Sequence, residues 1–253
     1  MSKSEMEMLE WDARSYDALP LPHKQWGARA IERLRLTGSE IVFDLGCGTG
    51  RDTELLLDAL PNGRVIAVDG SEQMLTELRA KLAGRLERVT VLCADLRETL
   101  ALDCQVDAVL SVATLHWLPD HAQVFRSVAN ALRRGGRLVA EAGGAGNVAK
   151  FRQALREISG SDGAELWNFA GVEETRQQLE QAGFSEIEVD LVADPAQLEP
   201  GEQFESFLAT VLLGAQLREL PPEQRRPFVQ KIAQRLPESV IDYVRLQISA
   251  VRR

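Results

Sequence analysis

Short apolar segments alternate with amphipathic segments through the first two-thirds of the chain. The apolar segments predict buried strands at 41–45, 64–69, 89–95, 107–113 and 137–142. The amphipathic segments predict helices at about 22–36, 51–60 and 121–132, and a further helix for which Ser71 is the N-cap. Apolar strands that alternate with helices indicate a parallel sheet with helices on both faces.

The last third of the chain has a different pattern. A helix predicted at about 172–182 ends at Gly183, and an alternating strand follows at 187–191. A helical excursion separates this strand from a last alternating strand at 244–250, so the two can pair in antiparallel fashion inside or at the edge of the sheet. One apolar face of the excursion predicts either a cover for the site or a dimer interface; it comprises Phe204, Phe207, Leu208, Val211 and Leu212.

Composition limits the partners and the compartment. Hydrophobic residues make up 45% of the 253 residues, which suits a globular core, and the net charge of −9 argues against nucleic acid or an anionic membrane as the main partner. No apolar run approaches the ~20 residues of a membrane helix, and no signal-peptide core is evident. The three cysteines, Cys47, Cys93 and Cys104, match no metal spacing and are predicted to be buried or site-lining thiols. We therefore expect a cytoplasmic protein.

The segment FDLGCGTG at 43–50 joins the first strand to the next helix. A dinucleotide-binding loop has the pattern G-x-G-x-x-G, whose third glycine lets the helix pack closely. Counted from Gly46, that third position is Arg51, which is a poor neighbour for a pyrophosphate. The remaining glycines are Gly48 and Gly50, and the alternate spacing predicts a tight turn with a side-chain-free surface, suited to a nucleoside without phosphates.

Three acids accompany this loop. Asp69 ends the second strand, where a carboxylate can accept both hydroxyls of a ribose. Asp95 follows the third strand and is placed to accept from an adenine amine, with Met74 and Leu96 on the two faces of the ring. Asp44 would repel a pyrophosphate but can help to hold a cationic amino group. Each acid alone is also consistent with a helix cap. Together they favour S-adenosylmethionine over a nicotinamide cofactor, and an oxidoreductase is the rival interpretation.

Several motifs carry a family resemblance. FDLGCGTG, AVDGS, CADL and LRRGGRLVAEA resemble the ordered motifs of class I S-adenosylmethionine-dependent methyltransferases over about residues 10–148, with the terminal hairpin in addition. WDARSY, LHWLPDH and the ending VRLQISAVRR are similar to the trans-aconitate methyltransferase group. The LHW triplet also resembles insect juvenile hormone acid methyltransferases. Both relatives methylate carboxylates of small molecules.

The resemblance implies an α/β, Rossmann-like, doubly wound fold: a mostly parallel seven-stranded sheet with an antiparallel C-terminal strand and a helical cap. The single domain at 1–253 divides into a cap segment at 1–38, a cofactor-binding core at 39–148 and a substrate-side region at 149–253. The resemblance also implies that Tyr16 lies near the methionine end of the cofactor, and it adds Gly70 and Ala94 to the cofactor-binding residues. No metal is expected.

The fourth strand ends in SVATLHWLPDH, and these residues are predicted to face the methyl group, because ligands lie beyond the carboxyl ends of such strands. Ser111 is predicted to contact the cofactor and Trp117 the acceptor. His116 is the predicted catalytic residue, as a general base, as a hydrogen-bond donor to a carboxylate, or else as a packing side chain only. The trans-aconitate group usually has glutamine there, so only the donor role carries over. His121 is predicted to be solvated or capping.

Trp26 and Trp167 are predicted to line the acceptor site. No arginine cluster suited to a tricarboxylate is evident, which favours a larger, more apolar acid. The strand end also lacks the Asn/Asp-Pro-Pro-aromatic tetrapeptide of enzymes that methylate bases or glutamine. The predicted function is O-methylation of a small-molecule carboxylate by a monomer or homodimer, without nucleic acid or membrane. Two alternatives remain: methylation of a hydroxyl or acidic carbon with His116 as base, and a methyltransferase-fold binding protein without turnover.

Overall fold

The computed structural model describes residues 23–98 and 104–253. Tyr16 and most of the predicted cap segment lie outside the described residues. The described chain begins with helix α1, His23–Leu34, which confirms the helix predicted at about 22–36. Trp26, Ala30 and Leu34 are buried at four-residue intervals, so one face of α1 packs on the sheet.

Strands and helices then alternate as predicted. The elements are β1 (Ile41–Leu45), α2 (Arg51–Ala59), β2 (Arg64–Asp69), α3 (Glu72–Lys81), β3 (Val89–Cys93), β4 (Val106–Val112), α4 (His121–Ala131) and β5 (Leu132–Gly143). Both β1 and β2 have the predicted bounds. The hydroxyl of Ser71 accepts from the N–H of Met74 at 3.3 Å, which confirms the predicted N-cap of α3.

The second part of the chain is richer in elements than predicted. They are α5 (Ala149–Ser159), α6 (Val172–Gln181), β6 (Phe184–Ala193), β7 (Ala196–Gln197), α7 (Glu202–Phe207), a π-helical turn (Leu208–Leu212), α8 (Gly214–Glu219), α9 (Pro222–Gln234), β8 (Val240–Ile241) and β9 (Val244–Arg252). The sequence interpretation missed α5 and the small sheet of β7 and β8. Short 3-10 turns lie at Leu86–Arg88, Leu115–Trp117 and Ala164–Leu166.

The large sheet has seven strands in the order β3-β2-β1-β4-β5-β9-β6. The first five of these pair in parallel, and β9 runs antiparallel to both β5 and β6. The last strand therefore lies inside the sheet, which confirms the predicted late hairpin. The strand order reverses between β1 and β4, so a crevice is expected beyond their carboxyl ends.

The core has two layers, one on each face of the sheet. Val42 and Phe43 are consecutive in β1 and point to opposite faces, as strand geometry requires. The face of Val42 packs against α1, α2, α3, α5 and the helices of the C-terminal insertion. The face of Phe43 packs against α4 and α6. The site at the sheet edge is thus supported by two packed layers.

The apolar face of the insertion packs within the chain. Phe204, Phe207 and Leu208 are at most 2% exposed and share a hydrophobic cluster with Val229 and Ile232 of α9. The predicted alternative of a dimer interface is therefore wrong for this face, because α9 already covers it. The segment 204–212 is also not one regular helix, because α7 passes into the π-helical turn.

Cysteine burial follows strand position. Cys47 is buried as predicted, but Cys93 and Cys104 are exposed, so the expectation of burial is wrong for these two. β3 is an edge strand with β2 as its one sheet neighbour, which leaves the Cys93 thiol accessible.

Within 23–98 and 104–253, none of the helices has the length and apolar composition needed to cross a bilayer. The same residues contain no group of three His, Cys, Asp or Glu side chains arranged to hold a metal ion.

Candidate active site

The glycine loop after β1 is a tight turn with one open face. Gly46, Gly48 and Gly50 have φ values of 79°, 52° and 80°, a region that favours glycine. A Cβ at Gly46 would lie 2.1 Å from Oγ1 of Thr114, and one at Gly50 would lie 2.7 Å from Cγ of Leu78. A Cβ at Gly48 would meet no atom within 4 Å. The loop is therefore packed at both ends and leaves a side-chain-free surface at its centre.

Asp69 stands at the carboxyl end of β2, beside this surface. Its Oδ2 accepts from the N–H of Gly48 at 2.9 Å, and its Oδ1 accepts from the N–H of Ser71 at 2.9 Å. Gly70 lies between Asp69 and Ser71 at the same strand end. Each carboxylate oxygen has a further lone pair, so the group can accept ribose hydroxyls while it holds the loop.

Asp44 lies in β1, two residues before Gly46. The side chain is 2% exposed, and its Oδ2 accepts from the hydroxyl of Thr53 at 2.6 Å. Burial, together with the carboxylates of Asp52 and Asp69, raises the pKa of Asp44 to about 8. The geometry therefore gives Asp44 a role in fixing α2 to the loop. Its predicted direct contact with a cationic amino group stays a prediction.

The third strand end carries Ala94 and Asp95. The N–H of Ala94 donates to the carbonyl of Asp69 at 3.0 Å, which joins the two strand ends. The guanidinium of Arg97 holds both oxygens of Asp95, with Nη2 2.7 Å from Oδ2, and this pairing lowers the pKa of Asp95. Arg97 therefore competes for the oxygens that were predicted to accept from an adenine amine.

Two apolar side chains lie at these strand ends. Met74 is buried in the first turn of α3, and Leu96 is partly buried against the core. Both positions are compatible with the predicted packing on an adenine ring. That contact, like the adenine contact of Asp95, stays a prediction.

Ser111 does not reach the open side of the site. Its side chain is 1% exposed, and its hydroxyl donates to the carbonyl of Leu45 at 3.0 Å, which ties β4 to β1. The predicted cofactor contact by Ser111 is corrected accordingly, because its hydroxyl points into the sheet. Thr114 is the residue beyond β4 that packs against Gly46, and the sequence interpretation omitted it.

His116 lies on the 3-10 turn that follows β4. The N–H of Gly143 donates to its Nδ1 at 3.3 Å. Burial, with the charge of Arg245 nearby, holds the pKa of His116 well below its usual range. The ring is therefore neutral at pH 7, and because Nδ1 is an acceptor, the proton is on Nε2. His116 consequently presents a hydrogen-bond donor.

Aromatic side chains surround His116. The rings of Trp117 and Phe169 lie 5.2 Å and 6.0 Å from the imidazole centroid. Trp167 stacks on Phe169 at 5.6 Å and contacts Phe151 at 6.3 Å. The structure thus brings the predicted residues Trp117 and Trp167 together with His116 and Phe169, and it adds Phe151 to the wall.

Two residues hold the turn that carries His116. His121 is 2% exposed and donates from Nε2 to the carbonyl of Leu115 at 2.7 Å, so the prediction of a solvated residue is wrong. Asn168 donates its backbone N–H to the carbonyl of His116 at 2.8 Å. Its side-chain amide donates to the carbonyls of Leu118 and Pro119, each at 3.2 Å. The turn and the segment of Trp167 therefore form one unit.

A group of charges, two buried and two partly exposed, lies under α1. Trp26 is 1% exposed, its indole N–H donates to Asp194 at 2.7 Å, and the guanidinium of Arg245 lies 3.7 Å from its ring centroid. Trp26 is therefore a packing residue, which corrects its predicted contact with the acceptor. Arg29 pairs with Asp194 at 2.6 Å and with Glu141 at 3.3 Å.

Arg245 and Glu141 complete this group. Both are at most 1% exposed, and Nε of Arg245 lies 3.5 Å from Oε1 of Glu141. Burial lowers the pKa of Arg245, and Glu141 opposes that shift. The sequence interpretation missed that Arg29 and Arg245 come together here. Each is matched by an acid, so the pair leaves no uncompensated positive charge for a polycarboxylate.

Known proteins resemble this chain in sequence. The family model described as "Methyltransferase domain" matches residues 42–136. The trans-aconitate 2-methyltransferase of Azoarcus sp. (strain BH72) is 35% identical over 131 residues, which are 52% of this chain and 50% of that protein. Residues 42–136 are therefore similar to a methyltransferase domain. The malonyl-[acyl-carrier protein] O-methyltransferase of Xylella fastidiosa (strain M23) is 31% identical over 148 residues, 57% of this chain and 50% of that protein.

The fold of this chain also resembles that of solved structures. The solved structure of Haemonchus contortus phosphoethanolamine N-methyltransferase 2, in complex with phosphomonomethylethanolamine and S-adenosylhomocysteine, has a TM-score of 0.63 and 16% identity, and it covers 90% of this chain and 52% of that chain. This likeness confirms the predicted fold. The predicted family resemblance is supported by the sequence relatives. The chain spans about half the length of the curated relatives it matches.

Asn168 offers a test of the aromatic wall. Asn168→Ala removes the two side-chain hydrogen bonds to the turn but keeps the backbone bond to His116. We expect the KM for the acceptor to rise by about three- to tenfold, because the turn that holds His116 and Trp117 loosens. Steady-state kinetics, with calorimetry of S-adenosylhomocysteine, checks this.

The isosteric variant Asn168→Asp is the matched control, since it places a carboxylate against the same two carbonyls. It should be at least as damaging as alanine. If the affinity for S-adenosylhomocysteine fell in both variants as much as the KM for the acceptor rose, the local role of Asn168 would be contradicted.

Proposed function

We propose that this chain transfers the methyl group of S-adenosylmethionine to a carboxylate oxygen of a small molecule. The observation that carries the proposal is the state of His116. Its Nδ1 accepts from the N–H of Gly143, so a neutral ring carries its proton on Nε2. A neutral donor in an aromatic pocket suits an acceptor that is already an anion.

The cofactor assignment draws on the loop and on Asp69. The open surface at Gly48 and the carboxylate that borders it fit a nucleoside. S-adenosylmethionine supplies an electrophilic methyl group when it is bound. Met74, Ala94, Asp95 and Leu96 are proposed to complete the adenine site.

Each residue of the acceptor pocket is proposed to bind or orient the acceptor. His116 donates from Nε2 to one carboxylate oxygen and leaves the other oxygen free to attack. Trp117, Trp167 and Phe169 exclude water and align the acceptor with the methyl group. A carboxylate is ionised at pH 7, so no residue has to remove a proton.

The acceptor is proposed to carry an apolar group next to its carboxylate. The walls of the pocket are aromatic, and the two arginines of the buried charge group are paired with acids. The relatives from Azoarcus and Xylella are named for methylation of trans-aconitate and of a malonyl group, both of which bear carboxylates. We propose a cytoplasmic enzyme with a small-molecule acceptor and without nucleic acid. The proposed oligomeric state is a monomer or a homodimer.

His116→Gln separates the two acceptor chemistries. Glutamine keeps a hydrogen-bond donor, so turnover of a carboxylate acceptor should fall by less than about tenfold. The pH–rate profile of the wild type should also lack an inflection near the usual histidine pKa of about 6.5, because the imidazole is already neutral. Rates across pH 5.5–8.5 for both proteins measure this.

His116→Phe is the matched control, because it keeps a ring and removes the donor. It should lose clearly more activity than the glutamine variant. A loss of about 10²–10⁴ in His116→Gln, together with a vanished pH inflection, would contradict the carboxylate assignment and support a hydroxyl or carbon-acid acceptor.

A further inference from the structure

The backbone carbonyl of Glu141, near the end of β5, accepts two hydrogen bonds. The N–H of Ala113 donates to it at 2.7 Å, and Nη2 of Arg245 donates to it at 3.2 Å. Ala113 is the first residue after β4 and has a φ of 58°, which residues with a side chain rarely adopt. Such a backbone persists only where its surroundings hold it. These two hydrogen bonds therefore help to fix the segment that leads to His116.

Arg245 also lies beside the residue that binds His116. Gly143 is the partner of Arg245 in the antiparallel pairing of β5 with β9. The N–H of the same glycine donates to Nδ1 of His116 at 3.3 Å. The last residues of β5 thus bind both the start of the turn and its imidazole, and the side chain of Arg245 is bonded to that strand end.

The guanidinium of Arg245 is itself held in place. Arg245 is 1% exposed, and its guanidinium lies 3.7 Å from the ring centroid of Trp26. Its Nε lies 3.5 Å from Oε1 of Glu141, a carboxylate that Arg29 of α1 also pairs with. Because packing and pairing fix its conformation, Arg245 can act as a rigid support for the strand end.

We propose that Arg245 is a positioning residue for the acceptor site: its hydrogen bond to the carbonyl of Glu141 fixes the end of β5 and, through it, the orientation of His116. The inference rests on the proposed function, because that function makes His116 the donor to the acceptor. Arg245 contributes its charge as well. Burial is the largest cause of the lowered pKa of His116, and the charges of Arg245 and His121 add to it.

Arg245→Met tests this role, because methionine fills much of the same volume without the charge or the donors. The kcat/KM for a carboxylate acceptor should fall by about tenfold or more, while the affinity for S-adenosylhomocysteine changes by less than about twofold. The pKa of His116, followed by NMR of its imidazole, should rise toward the usual value of about 6.5. Arg245→Lys keeps the charge but lacks the planar fork, so it should restore the low pKa and only part of kcat/KM.

Arg252→Met is the matched control. Arg252 lies at the other end of β9 and also donates to carbonyls, those of Ala129 and Gly183, each at 2.9 Å. Its loss should leave kcat/KM, the affinity for S-adenosylhomocysteine and the pKa of His116 unchanged. If Arg245→Met does not fold, the double variant Glu141→Leu with Arg245→Met takes its place, with the same expected changes, because it leaves no unpaired buried carboxylate.

Three results would overturn the assignment: an unmoved pKa of His116, an unchanged kcat/KM, or a loss of S-adenosylhomocysteine affinity equal to the loss of kcat/KM. A failure of the proposed function gives a different result, since the wild type would then methylate no carboxylate. The NMR titration needs no acceptor, so in that case a risen pKa supports the positioning role of Arg245 and an unmoved one refutes it.

Discussion

Glu141→Gln should lower the free energy of unfolding by about 3–5 kcal/mol. The Glu141 side chain is 0% exposed, and its Oε1 lies 3.5 Å from Arg245 and 3.3 Å from Arg29. The variant leaves the buried guanidinium of Arg245 without its carboxylate, with the ring of Trp26 beneath it. Denaturant unfolding followed by circular dichroism measures the change.

Two further variants test the cause of this loss. Glu157→Gln breaks an exposed pair with Arg235 and should cost less than about 1 kcal/mol. The double variant Glu141→Leu with Arg245→Met removes both buried charges and should regain most of the stability that the single variant loses. A change within about 1 kcal/mol for Glu141→Gln would show that Arg245 is compensated by another group.

Asp69→Ala should weaken the binding of S-adenosylhomocysteine by about 2–4 kcal/mol, or roughly 30- to 800-fold in Kd. The carboxylate is proposed to accept both ribose hydroxyls, and it also holds the N–H groups of Gly48 and Ser71. The alanine variant therefore loses ligand contacts and the support of the loop together. Isothermal titration calorimetry measures the affinity, and thermal unfolding checks that the variant folds.

Asp58→Ala is a matched control for this variant. Asp58 is an exposed acid on α2 that pairs with Arg85, so its loss changes the net charge equally without touching the loop. Its affinity should match the wild type. An Asp69→Ala variant that folds and binds with unchanged affinity would remove Asp69 from the site.

The strands and the glycine loop were predictable because their causes are local. The strand IVFDL is mostly apolar and lies between Glu40 and the glycine loop, so its limits follow from the sequence. Gly46, Gly48 and Gly50 have positive φ values, which is what their spacing indicated. Helix α5 was missed although Phe151, Ala154 and Leu155 carry helical spacing and are buried. That signal was present in the sequence.

The charge group under α1 was not predictable, because its members are distant in sequence. Asp194 binds Trp26 and Arg29, which are 168 and 165 positions away. Arg245 occupies a polar position of an alternating strand, which usually indicates a solvated face. Here β9 lies inside the sheet with α1 above it, so that face is buried. Trp26 could not be assigned correctly without this arrangement.

The acceptor site also combines features that the sequence predicts with features that depend on the fold. The order LHW placed His116 and Trp117 at the end of β4, where the structure has them. The proton on Nε2 depends on the N–H of Gly143, which is 27 positions away. The proposed donor role of His116 therefore rests on the fold, whereas the sequence left base and donor open.

A labelled-methyl assay distinguishes a carboxylate acceptor from a hydroxyl acceptor. The wild-type protein is incubated with S-adenosylmethionine labelled in its methyl group and with a panel of apolar carboxylic acids, matched alcohols and matched phenols. We expect label in the acid products only. Mild base should release this label as methanol, because the product is a methyl ester. Base-stable label in the alcohol or phenol products, with none in the acids, would contradict it.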